Sequence, residues 1–279
     1  MKRVILLLTT LFISLTFKAQ LAVTNAAPYN TPAYLVNTVL MGNGVTATNI
    51  TFSGDANQLG YFNNGLAGVV NPLGLDSGIV LSSGNVNDIP TGGNLSTIFG
   101  GAGDPDLLTI AQSVRPGIVS TEDAATLEFD FVPNGDTVEF RFVFSSDEYL
   151  TWINSNFQDI FSFFLSGPGF AGPYASPAGF PNGAQNLAVV PGTPTPIMIG
   201  TINNVTNAQF YIDNPGGNTF DFNGYSTIIS VKFHVTCSVP YHFKFSIADC
   251  QDGSLDTGIF MEGSSFSSNA PIAIQFSTA

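Results

Sequence analysis

The sequence predicts an all-β protein, an antiparallel, jelly-roll-like β-sandwich with long loops and at most one or two short helices. Phenylalanine is abundant, with 25 residues among 279. Apolar and polar residues alternate along many short runs, which is the period of a strand with one buried face. Gly, Pro, Asn and Ser interrupt these runs, as expected for turns between strands and not for long helices or disorder.

Apolar runs bounded by turn residues predict the strands of this fold. Only Asp106–Val114 has a helical pattern, and it is short. The tracts Thr91–Asp104 and Gly167–Gly183 are long and irregular, which is typical of mobile or functional loops. The predicted strands are Val45–Phe52, Gly78–Ser82, Leu127–Val132, Val138–Phe144, Ile160–Leu165, Leu187–Val190, Ile197–Thr201, Gln209–Ile212, Tyr225–Val235, Tyr241–Ala248 and Gly258–Phe266.

The N-terminus has the layout of a secretory signal peptide. Lys2 and Arg3 precede an apolar run that ends at Phe17, and we expect cleavage near Ala19 or Gln20. No later run has the roughly twenty apolar residues of a membrane-spanning helix. We therefore expect residues 1–20 to be the signal peptide, residues 21–266 one exported domain without a transmembrane segment, and residues 267–279 a terminal strand or linker.

The charge balance bears on the possible partners. Seven Lys and Arg stand against 20 Asp and Glu, for a formal net charge of -13. Binding to nucleic acid requires clustered basic residues, so this class of partner is not expected. A cation ligand, or simple solubility outside the cell, is compatible with the acidic balance.

The segment from Phe140 to Gly167 organises the chain. Val138, Phe140, Phe142 and Phe144 share one face of a strand because side chains alternate with period two. The turn residues of Pro133–Asp136 separate this strand from the alternating run before it, which predicts a hairpin. An acidic, polar loop then leads directly into the next apolar strand.

Two acidic clusters predict a calcium site. The first lies in this loop, and the second follows the strand at Tyr241, where Gly253 provides a sharp turn. Calcium prefers six to eight oxygen ligands in irregular geometry, so a Ca²⁺ site is expected if the loops converge. The alternative is that the Asp side chains only cap their own turns. The candidate ligands are Asp147, Glu148, Asp159, Asp249, Asp252 and Asp256.

Aromatic and amide side chains in the same loop are candidates for ligand binding. They are Tyr149, Trp152, Asn154 and Asn156. The expected partner is a glycan or a surface protein. In the alternative interpretation the loop is a solvated connection, and Tyr149 and Trp152 close the end of the core.

Catalysis is not predicted. His234 and His242 are the only histidines, both on strands where an outward, solvent-facing position is expected, and no Gly-x-Ser-x-Gly turn exposes a nucleophile. The enzymatic alternative is a glycoside hydrolase, which needs two carboxylates roughly 5–10 Å apart. Asp147 or Glu148 with Asp159 or Asp252 would supply them. A third possibility is a purely structural envelope component.

The two cysteines of an exported chain suggest a disulfide between Cys237 and Cys250. A tight hairpin of Tyr225–Val235 with Tyr241–Ala248 would place them roughly 30 Å apart at about 3.3 Å per residue. A disulfide needs Cα atoms within roughly 7 Å. Either the two strands are not adjacent, or there is no bridge.

Several long motifs resemble the choice-of-anchor L domain, a family of secreted or cell-surface bacterial modules. The resemblance covers about residues 40 to 268 and implies a β-rich fold and a surface location, with no established activity. No sorting domain follows Phe266, so we expect a minimal or truncated member, or one released or held by a partner. The motifs are LGLDSGIVLSSGNV (Leu73–Val86), LEFDFVPNGDTVEFRFVFSSDEY (Leu127–Tyr149), FQDIFSFFLSGPG (Phe157–Gly169) and YHFKFSIADCQDGSLDTGIFMEGSSF (Tyr241–Phe266).

Overall fold

The structure, a computed structural model, describes residues 21–63, 72–90, 95–217 and 220–269. Two antiparallel sheets dominate this part of the chain, which confirms the predicted all-β fold. The strands are β1 (Ala22–Thr24), β2 (Val45–Ser53), β3 (Leu59–Asn63), β4 (Ser77–Ser82), β5 (Thr121–Pro133), β6 (Thr137–Ser146), β7 (Ile160–Ser166), β8 (Gln185–Asn186), β9 (Tyr211–Asp213), β10 (Gly224–Ser226), β11 (Ile229–His234), β12 (Tyr241–Cys250), β13 (Thr257–Glu262) and β14 (Ser267–Ser268).

The two sheets differ in size. The larger has the order β1-β3-β4-β13-β6-β10-β9, and β11 and β14 also pair with β6. The smaller sheet has five strands in the order β2-β5-β12-β7-β8. Long-range pairs such as β5 with β12 therefore join distant parts of the sequence.

Phenylalanine rings from both sheets interlock to form the main core. Phe140 of β6 lies 4.9 Å from Phe163 of β7 and 5.5 Å from Phe243 of β12, measured between ring centroids. All three side chains are completely buried. The alternation of β6 predicted this face correctly, because Val138, Phe142 and their neighbours belong to the same core.

The predicted hairpin of β5 with β6 is wrong. β5 pairs with β2 and β12, whereas β6 pairs with strands of the other sheet. The turn at Pro133–Asp136 therefore carries the chain from one sheet to the other. Both strands still direct their phenylalanines inward, because they face each other across the core and do not lie side by side.

Helices are short and peripheral. An α-helical turn, α1 (Pro32–Tyr34), continues as a π-helical segment at Leu35–Leu40, and 3-10 turns occur at Ala56–Gln58, Val86–Asp88 and Ala208–Phe210. The predicted helix at Asp106–Val114 is confirmed as α2 (Pro105–Val114). The Asp104 side chain caps it by accepting hydrogen bonds from the amides of Asp106 and Leu107 at 2.8 and 3.0 Å. The buried side of α2 packs on β7 and β12 of the five-stranded sheet.

Several element boundaries differ from the prediction. The segments predicted at Leu187–Val190 and Ile197–Thr201 contain no strand, only an isolated bridge between Val189 and Pro196 and turns stabilised by side chains such as Thr201. The strand predicted at Tyr225–Val235 is split into β10 and β11. Short strands β1 and β3 were not predicted. Apolar composition alone does not distinguish a strand from a buried loop.

The expected disulfide is absent. Cys237 is exposed, Cys250 is buried, and both are unpaired. β11 and β12 do lie in different sheets, but β12 itself separates the two thiols: Cys237 precedes the strand and Cys250 ends it. Ten extended residues span about 33 Å, far beyond the reach of a disulfide.

Parts of the predicted organisation lie outside the described residues. These parts are the signal peptide at residues 1–20, residues 91–94 of the irregular tract Thr91–Asp104, and the end of the predicted terminal segment from residue 270. Among the residues that the structure describes, no helix has the length and apolar character needed to cross a membrane.

Candidate functional site

The two acidic clusters lie at the same end of the sandwich, where the chain crosses between sheets. Residues 147–159 connect β6 to β7, and residues 251–256 connect β12 to β13. The amide of Asp147 donates a hydrogen bond of 3.1 Å to the carbonyl of Asp256, which joins the two crossings. Side chains at such crossings face the space between the sheets, and this explains why carboxylates enter the interior here. We refer to this region as the acidic end.

Asp159 and Glu148 form the centre of the acidic end. The amide of Asp159 donates to Oε2 of Glu148 at 3.0 Å. The Asp159 carboxylate accepts hydrogen bonds from the amide of Cys250 at 3.0 Å and from Oγ1 of Thr257 at 2.8 Å. Both acidic side chains are only 1% exposed. Asp159 thereby holds the end of β12 against the start of β13.

Asp249 and Asp256 are completely buried with oxygens that lack hydrogen-bond partners. Neither carboxylate oxygen of Asp249 makes a hydrogen bond of normal geometry, although the Ser83 hydroxyl lies close enough to favour its charged form, and Oδ1 of Asp256 has no partner. Oδ2 of Asp256 accepts from the amide of Thr97 at 3.2 Å. Buried polar atoms are normally satisfied, so three such carboxylate oxygens in one region need either a cation or bound protons.

Sequence analysis missed one further member, Asp123. It is buried at the start of β5 and accepts hydrogen bonds from the amides of Phe99, at 2.8 Å, and Gly101. The alternation Leu127, Ala125, Asp123 places it on the inward face, so the signal was present in the sequence.

Burial raises the pKa values of these acids. It is the largest cause for Glu148, Asp159 and Asp249, whose pKa values lie well above their usual range, and repulsion among the three adds to the effect. The hydroxyl of Ser83 opposes the rise at Asp249. Burial raises the pKa of Asp256 to about 7. Burial and the nearby Asp221 raise that of half-buried Asp147 to about 6.

No lysine or arginine of the described residues pairs with these acids. The described part of the chain contains four such side chains, and each one has a partner elsewhere. The partners are Glu262 for Arg141, Glu139 for Lys232, Asp104 and Asp106 for Lys244, and Asn156 for Arg115.

Asp252 differs from the other candidates because it is exposed. Its Oδ1 accepts from the amide of Ser254 at 3.3 Å, which is the turn-capping role considered as the alternative. Asp252 and Glu148 nevertheless line one cavity of about 140 Å³ together with Trp152 and Phe157. This cavity connects the acidic end with the surface.

The predicted ligand-binding residues do not form one surface. Tyr149 is buried in the core, where its hydroxyl donates to the carbonyl of Ile202 at 2.8 Å, so it closes the core and does not face a ligand. Trp152 lines the small cavity. Asn154 is exposed, and Asn156 is turned toward Arg115, whose Nε donates to its Oδ1 at 3.3 Å.

The arrangement limits what the acidic end can do. In the described residues, no three His, Cys, Asp or Glu side chains are grouped as a ready metal centre. The calcium site thus remains a prediction. Of the carboxylate pairs considered for glycoside hydrolysis, those with Asp159 involve a buried, fully hydrogen-bonded group. Glu148 and Asp252 share a cavity far smaller than the roughly 300–1,000 Å³ of sites that enclose small molecules.

A different polar group lies on the outer face of the five-stranded sheet. Asp130, His242 and Ser166 are directly opposite one another on β5, β12 and β7. Oδ1 of Asp130 lies 2.8 Å from Nδ1 of His242, and Oε1 of Glu128 lies 3.5 Å from Nε2. His242 is outward-facing as predicted, but it is not solvent-facing, because Phe180 lies over it at 5.8 Å between ring centroids.

The loop that carries Phe180 encloses a groove of about 550 Å³ next to His242. Its walls combine apolar rings with one carboxylate and one amide. This groove lies at the end of the sheet opposite the acidic end. The lining residues are Asp130, Gly167, Pro168, Gly179, Phe180, Pro181, Asn182, Val239 and Pro240.

Comparison with known proteins identifies one family. A family model, described as the choice-of-anchor L domain, matches residues 23–267. No curated protein and no solved structure matches the chain significantly.

Proposed function

Because the chain belongs to the choice-of-anchor L domain family, we propose that it is an exported, non-catalytic module of the bacterial cell surface that acts in adhesion by binding a glycan. The family groups cell-surface modules, which supports the location. The observation that carries the binding proposal is the groove beside His242.

The groove has the size of a small-molecule site. About 550 Å³ lies within the roughly 300–1,000 Å³ typical of such sites, whereas the cavity at Trp152 does not. A sugar unit presents an apolar ring face and a rim of hydroxyl groups. Phe180 and Pro181 offer apolar surface, and Asp130 and Asn182 offer the acceptors and donors that hydroxyl groups require.

His242 helps to fix the carboxylate of Asp130 at the groove. Asp130 is held from two sides, by Nδ1 of His242 at 2.8 Å and by Nδ2 of Asn49 at 2.7 Å. Each carboxylate oxygen has a second lone pair available for a ligand. These two hydrogen bonds hold the Asp130 carboxylate in place before a ligand binds, which reduces the entropy lost on binding.

The test is a glycan array with the exported chain and single variants. Phe180→Ala and Asn182→Ala should each weaken binding at least tenfold, or by about 1.4 kcal/mol, if both are among the few residues that contribute most to binding. Trp152→Ala is the matched aromatic control and should bind like the wild type. If only Trp152→Ala loses binding, the glycan site lies at the acidic end and not at the groove. If the chain binds no glycan but captures a surface protein, and this capture depends on Phe180, the glycan is the wrong ligand. The groove would then still be the binding site.

A further inference from the structure

We propose that the acidic end is a calcium site in which Asp249 is the central ligand and Glu148 and Asp159 contribute beside it. Among these acids, the environment of Asp249 is the strongest indication of a bound cation. Asp249 is completely buried, and neither of its oxygens makes a hydrogen bond of normal geometry, with only the Ser83 hydroxyl nearby. An isolated buried carboxylate is costly, and buried charges are normally paired or bound to a metal.

The surrounding groups favour a hard cation. Carboxylates and hydroxyls supply the oxygens, with Thr257 hydrogen-bonded to Asp159 and Ser83 close to Asp249. Calcium accepts six to eight such oxygens in irregular geometry, whereas magnesium requires a near-ideal octahedron and retains its waters. A buried and irregular set of acids therefore favours calcium.

The charge balance favours a cation from outside the described residues whenever these acids are ionised. Glu148, Asp159, Asp249 and Asp256 are buried together, and every Lys and Arg of the described residues is engaged elsewhere. At an effective dielectric constant near 20, two like charges about 6 Å apart repel by roughly 3 kcal/mol. A bound divalent ion would replace this repulsion with attraction.

The site also has a route to solvent. Glu148 lies on the wall of the cavity that Trp152, Phe157 and exposed Asp252 line. An ion can enter there and reach Glu148 first. The carboxylates are not yet grouped as a metal centre, so binding has to draw their side chains together. This rearrangement costs free energy and weakens the affinity, so the gain in stability is the one that occupancy of the site gives.

Thermal unfolding of the exported chain tests the proposal. At about pH 7.5, calcium at a hundredfold excess over its dissociation constant should raise Tm by about 5–10 °C relative to a chelator. Magnesium at the same concentration should raise Tm much less. Asp249→Asn should abolish the calcium shift, and Asp136→Asn, which removes an exposed carboxylate at the opposite end, should retain it.

A second measurement does not depend on a variant that folds. Terbium replaces calcium at oxygen sites and is excited by a nearby indole. Trp152 is the single tryptophan of the chain and shares the cavity with Glu148. The wild type should therefore sensitise terbium emission, and calcium should quench it by competition.

Bound protons are the competing explanation, and the same experiments separate it. Without a cation site, calcium would leave Tm and terbium emission unchanged. Asp249→Asn would then raise Tm in chelator at about pH 7.5, and acidification to about pH 5 would stabilise the wild type to the same extent with or without calcium. That combination would overturn the proposal.

Discussion

The amide of Asp159 donates a hydrogen bond of 3.0 Å to the side chain of Glu148, across the base of the crossing from β6 to β7. The two residues stand at opposite ends of this loop, so one side chain closes it. The oxygen that accepts the bond belongs to an acid whose pKa burial raises well above its usual range. Without a bound cation, this contact needs an acceptor oxygen and not a negative charge.

Two substitutions at Glu148 separate the acceptor from the charge. Glu148→Gln keeps a carbonyl oxygen and should leave the free energy of unfolding in chelator unchanged or higher. Glu148→Ala leaves the buried amide of Asp159 without a partner, which should cost about 1–3 kcal/mol. Urea unfolding in chelator measures both. Equal losses in the two variants would show that the hydrogen bond contributes nothing.

Stability in chelator should fall as the pH rises from about 4 to 7. Burial raises the pKa of Asp256 from the ordinary 3.8 to about 7, so the folded state retains a proton that the unfolded state has lost. Unfolding therefore releases a proton from Asp256 between about pH 4 and 7. Above about pH 7, Asp256 no longer changes the free energy of unfolding with pH. Asp256→Asn should make the profile less steep between these limits, and the other buried acids with raised pKa values account for the slope that remains. A profile that rises with pH in the wild type would contradict the assignment.

The acidic end shows how far sequence reasoning extends. Alternation along β5 and β6 predicted both inward faces, and the polar loop after Ser146 was correctly located. The turn signal at Pro133–Asp136 was ambiguous, because the same residues serve a hairpin and a corner between sheets. The burial of Asp249 continues the inward alternation of Phe243, Phe245 and Ile247 along β12, so this signal was also present in the sequence.

The groove could not be predicted at all. His242 and Asp130 are 112 residues apart, and their contact requires that β5 pairs with β12 in one particular register. One residue of slip would turn His242 to the opposite face. A single sequence contains no information on that register, whereas period-two alternation is local and visible.

His242 should titrate above its ordinary pKa. Burial alone would lower the pKa, but the contacts with Glu128 and Asp130 outweigh it and raise the pKa above 6.5. The contact with His242 in turn lowers the pKa of Glu128. Because the raised value belongs to the folded state, this stabilisation is complete below about pH 6.5 and is lost as the pH rises through the folded pKa.

Proton NMR measures this titration, and the variant His234→Gln assigns the signal because only two histidines exist. Glu128→Gln should move the pKa of His242 downward. A value at or below 6.5 in the wild type would show that burial dominates over both carboxylates.

The two thiols should differ in reactivity. Cys237 is exposed, whereas Cys250 is 1% exposed and burial raises the pKa of its thiol well above the usual range. The thiolate is the reactive form, so Cys250 should be inert in the folded protein. Ellman's reagent should detect one thiol in the native chain, two in denaturant and none in native Cys237→Ser. No reactive thiol in the native wild type would indicate that Cys237 is covered.

Gly84 should be intolerant of a side chain because the carboxylate of Asp256 occupies the space beside it. A Cβ atom at Gly84 would overlap that carboxylate. The residue has no positive φ, so the expected cost of Gly84→Ala comes from contact and not from the backbone. Insertion of a methyl group into a packed interior costs about 1–3 kcal/mol.

A double-mutant cycle isolates this contact. Asp256→Ala removes the three atoms nearest to the new Cβ, so the double variant should be more stable than the sum of the single losses predicts. The expected coupling exceeds about 1 kcal/mol in the free energy of unfolding, measured in chelator so that no ion contributes. Losses that add within about 0.5 kcal/mol would mean that the Asp256 side chain moves aside at little cost. In that case Asp256 would be adjustable within the acidic end, and the rigid placement that its contact with Gly84 indicates would be wrong.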